Sequence, residues 1–158
     1  MYMLSYASIQ MHRASTLVHD CAKRHDVGGL RALLDADPDN LHVHGWFRDT
    51  PLHTACSAGS LNTARLLLDR GANLESLDRG QFTPLMAACS SGRLELVSFL
   101  LDRGADPTVR YAGATFRRET LLIAAADPRL SHWSSSASRV SLVRRLLQDA
   151  RVEVDAQD

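Results

Sequence analysis

The sequence predicts an all-α solenoid built from about four stacked helix–turn–helix repeats. The main observation is internal similarity, because the segment TPLHTAC at 50–56 recurs as TPLMAAC at 83–89, an offset of about 33 residues. The following residues keep the same register, since the run DRGAN at 69–73 recurs as DRGAD at 102–106. One repeat of this size cannot bury its apolar face alone, so neighbouring repeats must stack. Such a stack presents a long surface suited to binding another macromolecule.

The first helix of each repeat is predicted from its start signals. Pro51 and Pro84 suit the first helical position, where the missing N–H group has no intrahelical partner in any case. Thr50 and Thr83 precede them and suit the N-cap position, because a threonine hydroxyl can accept a hydrogen bond from the exposed N–H groups. The residues that follow place small and apolar side chains on one helical face: Leu52, Ala55 and Cys56 in one repeat, and Leu85, Ala88 and Cys89 in the next.

A glycine separates this first helix from a second apolar helix in each repeat. Gly59 and Gly92 interrupt the first helix, and Gly71 and Gly104 end the second, where a left-handed cap favours glycine. The pattern therefore predicts a helix, a turn, a second helix and a projecting loop. The apolar positions of the second helices are Leu61, Ala64, Leu67 and Leu68, and Leu94, Val97, Leu100 and Leu101.

These motifs resemble the ankyrin repeat. The resemblance is carried by TPLHTA at 50–55, the glycine that follows, the Leu-Leu pair and the Gly-Ala-Asn run, together with their counterparts in the next repeat. It is tight over residues 46–110 and looser over residues 12–45 and 111–158. It implies a single ankyrin repeat domain over residues 1–158, with repeats at about 12–45, 46–78, 79–115 and 116–158.

The amino-terminal end departs from the regular repeat. Thr16 aligns with Thr50, but no proline follows it. This repeat also carries more charged side chains, as expected of a terminal repeat that faces water. Residues 1–15 are predicted to be a frayed leader or a short helix lying on the first repeat. A mitochondrial targeting segment is disfavoured, because Arg13 is the single basic residue of this stretch apart from histidine.

The carboxy-terminal repeat contains the main insertion. Its second helix is expected from about Arg139 to Leu147, after an insertion at 127–138 that carries Trp133. Trp133 either contacts a partner or folds back to cover the end of the solenoid. The last residues favour a fragment of a longer chain, because they resemble the run that leads into a further repeat. The alternative is that the last helix is amphipathic enough to cap the stack itself.

Charge and composition disfavour several classes of partner. The chain has 18 basic and 18 acidic residues, so no long-range field directs it to nucleic acid or to a membrane surface. No apolar run approaches the roughly 18 residues that a membrane span needs. We expect an intracellular protein, cytoplasmic or nuclear, with no small-molecule substrate.

Cysteine and histidine positions disfavour catalysis, metal sites and cofactors. Cys56 and Cys89 occupy equivalent positions in stacked helices, about 10 Å apart, which is too far for a disulfide. We therefore expect free thiols. We also expect no enzyme activity, because no acidic residue is placed to orient a Cys–His pair. No further ligands join His53 and Cys56 in a metal site. The resemblance implies instead that His53 and its counterpart His19 hydrogen-bond backbone groups of neighbouring repeats.

The resemblance implies a binding groove formed by the loop tips and the first helices. Large aromatic side chains flanked by arginines have the composition of an interface hot spot. The alternative for the aromatic residues is that they pack on adjacent loops and stiffen the array. Arg48 and Gln81 stand where a loop glycine is usual, so both loops are expected to deviate from the regular turn. The predicted partner-binding residues are Arg13, Trp46, Phe47, Asp49, Arg79, Phe82, Phe116, Arg117, Glu119 and Trp133.

Two functional hypotheses follow from this surface. The first is a protein-interaction module, an adaptor, scaffold or targeting domain, whose partner presents acidic and apolar groups to the arginines and aromatic residues. The second is a structural or regulatory appendage of an enzyme encoded outside this segment, with the groove closed against that enzyme.

Overall fold

The regular secondary structure of the described residues is helical. The computed structural model describes residues 6–108 and 136–148, with side chains from residue 14 in the first range and from residue 140 in the second. These two ranges contain helices and no β-strand, which confirms the predicted all-α class. In chain order the helices are α1 (Tyr6–Lys23), α2 (Val27–Ala36), a 3-10 helix (Pro38–His42), α3 (Pro51–Ala58), α4 (Leu61–Asp69), α5 (Pro84–Ser90), α6 (Leu94–Asp102) and α7 (Ser136–Leu147).

The helices form two layers with the apolar core between them. Helices α1, α3 and α5 lie side by side in an inner layer. Helices α3 and α5 each pack against the second helix of their own repeat, α4 and α6. Helix α2 packs against α1 and α4, and α7 packs against α6. This stacking is the predicted solenoid, and its fully buried side chains include Leu30, Leu52, Leu67, Leu85 and Leu100.

The residues predicted to start the helices do so. Pro51 and Pro84 are the first residues of α3 and α5, and Thr50 and Thr83 are their N-caps with extended backbone. The hydroxyl of Thr83 accepts a hydrogen bond from the backbone N–H three residues on, at 3.3 Å. The threonine–proline pairs therefore fix where each inner helix begins, and so where the preceding loop must end.

Glycine ends the outer helices as predicted. Gly71 and Gly104 lie just beyond α4 and α6 with φ of 90° and 95°. The N–H of Ala72 donates to the carbonyl of Leu67 at 2.9 Å, which closes the cap of α4 in the manner expected after a left-handed glycine. Both outer helices therefore end in the same geometry one repeat apart.

The first repeat differs from its predicted start. The alignment places Thr16 at an N-cap, but α1 begins at Tyr6 and runs through Thr16 without interruption. The reason is that Leu17 stands where the other repeats have proline, and only a proline would push the residue before it out of the helical conformation. Residues 6–15 are therefore part of α1 and not a separate helix or a frayed leader.

Candidate functional site

Two hairpin turns project beside the inner helices and carry the exposed residues of the candidate site. In the first, the N–H of Gly45 donates to the carbonyl of Asp49 at 2.8 Å, and the N–H of Arg48 donates to the carbonyl of Gly45 at 3.0 Å. The second turn, at 78–82, repeats both bonds at 3.1 Å. The two turns are therefore equivalent, and their tips are residues 46–48 and 79–81.

The expectation that these loops deviate from a regular turn is wrong. Arg48 and Gln81 adopt φ of 57° and 63°, the left-handed conformation that this position of a three-residue hairpin requires. Glycine is usual at this position because an L side chain there costs about 1–2 kcal/mol. Both turns are therefore regular, although their left-handed position is occupied by arginine in one hairpin and glutamine in the other.

Histidines on the inner helices hold the hairpins, as the resemblance implied. His53 Nε2 donates to the carbonyl of Phe82 at 2.9 Å, and its Nδ1 accepts from the N–H of Thr50 at 3.2 Å. One repeat earlier, His19 Nε2 lies 3.1 Å from the carbonyl of Asp49. Burial lowers the pKa of His53, although the hydrogen bond to Phe82 opposes this shift. His53 therefore stays neutral and keeps its Nδ1 lone pair for Thr50.

The first hairpin and α1 enclose an open cleft of about 680 Å³. One face of α1 lines the cleft, with His19 and Lys23 four residues apart on it. The neighbouring Asp20 also lines the cleft. The segment 42–49 forms the opposite wall, and Trp46 and Phe47 stand at its tip. The cleft therefore lies between an inner helix and a hairpin, which is where the resemblance places the binding groove.

The structure brings four of the predicted site residues together around this cleft. The side chains of Trp46 and Phe47 are 86% and 70% exposed. Asp49 is half-buried and accepts a hydrogen bond from the Thr54 hydroxyl at 3.0 Å. Arg79 is exposed, and its N–H donates to the carbonyl of Phe47 at 2.7 Å. The two hairpin tips are thus in contact, which is also expected if the aromatic residues stiffen the array, but Trp46 and Phe47 remain mostly exposed.

The remaining predicted site residues lie elsewhere. Phe82 is a predicted partner-binding residue, but it is half-buried and packs against the core. Its position matches that of Asp49 in the first hairpin, at the base of the turn and not at its tip. Arg13 lies in α1, but its side chain is outside the described residues, as are Phe116, Arg117, Glu119 and Trp133.

An aspartate–arginine ladder along the outer helices was missed in the sequence. Each of the first three repeats has an aspartate directly after its Leu-Leu pair, and each of these aspartates pairs with an arginine of the following repeat. The register could have revealed part of it, because Asp69-Arg70 recurs as Asp102-Arg103 in the next repeat. The ladder contributes to the contact between repeats on the surface away from the cleft. Its pairs are Asp35 with Arg70 at 2.7 Å, Asp69 with Arg103 at 3.0 Å, and Asp102 with Arg145 at 2.6 Å.

The cysteines pack as small apolar side chains. All three are unpaired, and Cys56 and Cys89 are buried at equivalent positions of α3 and α5. Burial raises the pKa of both thiols far above the ordinary value. They therefore remain protonated and unreactive while the chain is folded. Over the described residues, no group of histidine, cysteine, aspartate and glutamate is arranged to hold a metal ion, and no helix there has the length and apolar character to cross a membrane.

Comparison with known proteins identifies the family. A family model described as ankyrin repeats, in three copies, matches residues 18–111, which is more than half of the chain. The chain therefore belongs to the ankyrin repeat family, whose members are generally protein-interaction modules. It is also similar to the serine/threonine-protein kinase VIK of Arabidopsis thaliana, with 34% identity over 58 residues. That similarity covers 37% of this chain and only 13% of the kinase.

Proposed function

We propose that this chain is a protein-interaction module that binds a segment of a partner protein in the cleft between α1 and the first hairpin. The observation that carries the proposal is the adjacent pair Trp46 and Phe47, both mostly exposed at the rim of that cleft. Tryptophan and other large aromatic residues dominate binding energies at protein interfaces. Two such side chains next to each other in solvent are costly for a chain that does not use them in recognition.

The hairpin that carries the aromatic pair is held in place before any partner binds. Bonds within the turn fix its shape, His19 reaches the carbonyl of Asp49 at its base, and the carbonyl of Phe47 accepts from Arg79 at its tip. Because the backbone is already ordered, binding loses less conformational entropy than it would at a loose loop. A hairpin fixed by these bonds is better suited to recognition than a loop that only connects two helices.

The other residues of the predicted site extend this proposal. We propose that Asp49 and Arg79 border the bound segment, and that recognition uses no nucleic acid, membrane or small-molecule ligand. We propose an intracellular location, cytoplasmic or nuclear, which three unpaired cysteines support. We propose no catalytic role for this segment, since its family serves interaction. Arg13, Phe82, Phe116, Arg117, Glu119 and Trp133 stay predictions as further contacts.

The proposal is tested by selecting binders from a displayed random peptide library on the folded domain. The affinity of the enriched peptides is then measured for the wild type and for the double variant Trp46→Ala/Phe47→Ala. We expect the double variant to bind at least about tenfold more weakly, which corresponds to roughly 1.4 kcal/mol. Leu17→Ala is the matched control, because Leu17 is 48% exposed on α1 and does not line the cleft. Undiminished binding by a folded double variant would place recognition elsewhere.

A second candidate function is that of an appendage within a larger enzyme, and the similarity to a plant protein kinase favours it. In that case the cleft would be closed against the enzyme domain and Trp46 would be shielded. Acrylamide quenching of Trp46 fluorescence, with Trp133→Phe to remove the other tryptophan, distinguishes the two functions. The appendage predicts strong quenching in the isolated segment and weak quenching in a longer protein that contains it. Equal quenching in both would support the open groove.

A further inference from the structure

We propose that the tips of the first two hairpins recognise an acidic segment of the partner protein. Arg48 and Arg79 pair with carboxylates of that segment, and an apolar side chain between those carboxylates lies against Trp46 and Phe47. This inference rests on the proposed function and specifies the chemistry of the partner.

The backbone of the two tips brings the arginines to the aromatic pair. Arg48 follows Phe47 directly in the chain, and Arg79 is joined to Phe47 by a backbone hydrogen bond of 2.7 Å. Both arginines are exposed. One rigid unit made of two hairpin tips therefore carries two aromatic rings and two guanidinium groups.

The nearby acidic side chains accept hydrogen bonds within the hairpins, whereas the side chains of these arginines have no ion pair among the described residues. Asp78 Oδ1 accepts from the N–H groups of Gly80 at 2.8 Å and Phe82 at 2.9 Å. Asp49 Oδ2 accepts from the Thr54 hydroxyl at 3.0 Å. Neither tip arginine forms an ion pair with another residue of the described part of the chain. Although the formal net charge of the chain is zero, its hairpin tips present two arginines that no carboxylate of the described residues pairs with.

The backbone conformation of Arg48 also supports a role in recognition. This position of the turn has φ of 57°, where glycine fits without strain. Strained backbone residues cluster at functional sites, including those that hold ligands. The guanidinium of Arg48 takes part in no ion pair among the described residues. An arginine offers the planar pair of donors that a carboxylate accepts.

A protein segment fits this surface better than a nucleic acid does. A single strand needs a groove that stays positive along its phosphate backbone. The cleft beside the tips is lined by Asp20 and Asp49 as well as Lys23, so its charge is mixed. Discrete carboxylates next to an apolar side chain match two arginines beside two aromatic rings, whereas a continuous run of phosphates would meet the carboxylate of Asp20.

The test compares peptide selections from one displayed random library on three proteins: the wild type, Arg48→Glu/Arg79→Glu, and the control Arg31→Glu/Arg144→Glu. The control makes the same change in net charge at exposed arginines of α2 and α7. We expect wild-type binders enriched in aspartate and glutamate beside an aromatic or aliphatic residue. Their affinity should fall at least about tenfold for the tip variant and stay unchanged for the control. Wild-type binders without acidic enrichment, or binders indifferent to the tip variant, would overturn the inference.

A second variant keeps the test decisive if charge reversal disturbs folding. Arg48→Gly/Arg79→Ser removes both guanidinium groups and relieves the left-handed backbone of residue 48, so it should fold at least as well as the wild type. It should nevertheless bind the acidic peptides more weakly, and unchanged binding would contradict the proposal. Tighter binding of a short single-stranded oligonucleotide than of any selected peptide would also overturn it.

Failure of this inference can be separated from failure of the proposed function. Binders that require Trp46 and Phe47 but ignore both arginines overturn only the acidic partner. A library that yields no binder to the wild type contradicts the proposed function as well.

Discussion

His53 Nε2 donates to the backbone carbonyl of Phe82 across 2.9 Å, and this bond ties an inner helix to the hairpin of the next repeat. His19 lies 3.1 Å from the carbonyl of Asp49 in the same arrangement one repeat earlier. The equivalent residue of the third repeat is Met86, which has no group that could donate such a bond. The two histidines thus position the two hairpins whose tips form the proposed recognition surface.

We expect His53 to make the stability of the fold depend on pH. Its pKa is lowered in the folded state by burial, so between that value and about 6.5 the unfolded chain binds more protons than the folded chain. The free energy of unfolding should therefore fall as pH decreases below about 6.5, by at most about 1.4 kcal/mol per pH unit from this group. Urea denaturation between about pH 7.5 and pH 5.5 measures this slope.

His53→Gln should be less stable than the wild type at neutral pH but should lose less stability over the same pH range. Leu52→Ala is the matched control, because it removes buried apolar contacts of the adjacent residue and no titrating group. Its pH slope should equal that of the wild type. Parallel slopes for His53→Gln and the wild type would show that His53 is not the source of the dependence.

Replacing the left-handed residues of the hairpins by glycine should stabilise the protein. Arg48→Gly and Gln81→Gly each relieve about 1–2 kcal/mol of backbone strain, offset by roughly 0.4–1 kcal/mol from the more flexible unfolded chain. We expect a net gain of about 0.5–1 kcal/mol per substitution by urea denaturation. Gly71→Ala is the opposite control, since φ is 90° there and an added Cβ meets no other atom within 4 Å, so its loss would report backbone strain alone. A loss of stability in both hairpin variants would contradict the assigned turn geometry.

Thr63→Val should also stabilise the fold. The hydroxyl of Thr63 is buried and has no hydrogen-bond partner among the described residues, and valine has nearly the same shape without the polar group. Removing an unsatisfied buried hydroxyl is expected to gain about 1–2 kcal/mol. Thr83→Val is the control of opposite sign, because that hydroxyl caps α5 and its loss should cost about 1 kcal/mol. Destabilisation by Thr63→Val in thermal and urea unfolding would indicate a bond that the hydroxyl makes in solution.

The aspartate–arginine ladder should contribute modestly and in a way that depends on salt. A double-mutant cycle of Asp69→Asn and Arg103→Ala should give a coupling of about 0.2–1 kcal/mol, since both side chains are partly exposed. Arg103→Ala should cost more than Asp69→Asn, because Arg103 also lies over the ring of Phe99 at 4.8 Å. Urea unfolding with added salt should reduce the coupling. A coupling that salt does not change would mean that the pair acts through packing and not charge.

The regular repeats were predictable because the residues that start and end each helix agree with the apolar pattern that packs it into the core. Thr50 and Pro51 start α3 where the pattern places it, and the buried positions follow the helical period. The start of α1 was not predictable from alignment, since without proline nothing local stops a helix from extending. The ladder was missed for a different reason. A single exposed aspartate and arginine do not predict an ion pair, and only their recurrence in successive repeats indicates a contact between repeats.

The candidate site was predictable in its place but not in its detail. Trp46 and Phe47 could be assigned to an exposed tip from the resemblance, and they lie there. Phe82 could not be assigned in the same way, because its position at the base of a turn depends on the register of the hairpin bonds. The expectation for Arg48 was wrong. The absence of glycine predicts a distorted turn, but the turn is regular and holds Arg48 in the left-handed conformation.

Binding of the partner in the cleft between α1 and the first hairpin can be observed residue by residue by nuclear magnetic resonance. An isotope-labelled domain would be titrated with a selected peptide while the shifts of the backbone amides and of the Trp46 indole N–H are recorded. We expect the largest changes at the Trp46 indole, at residues 45–49 and on the cleft-lining face of α1. Changes confined to the outer helices α4 and α6 or to α7, with the Trp46 indole unmoved, would contradict it.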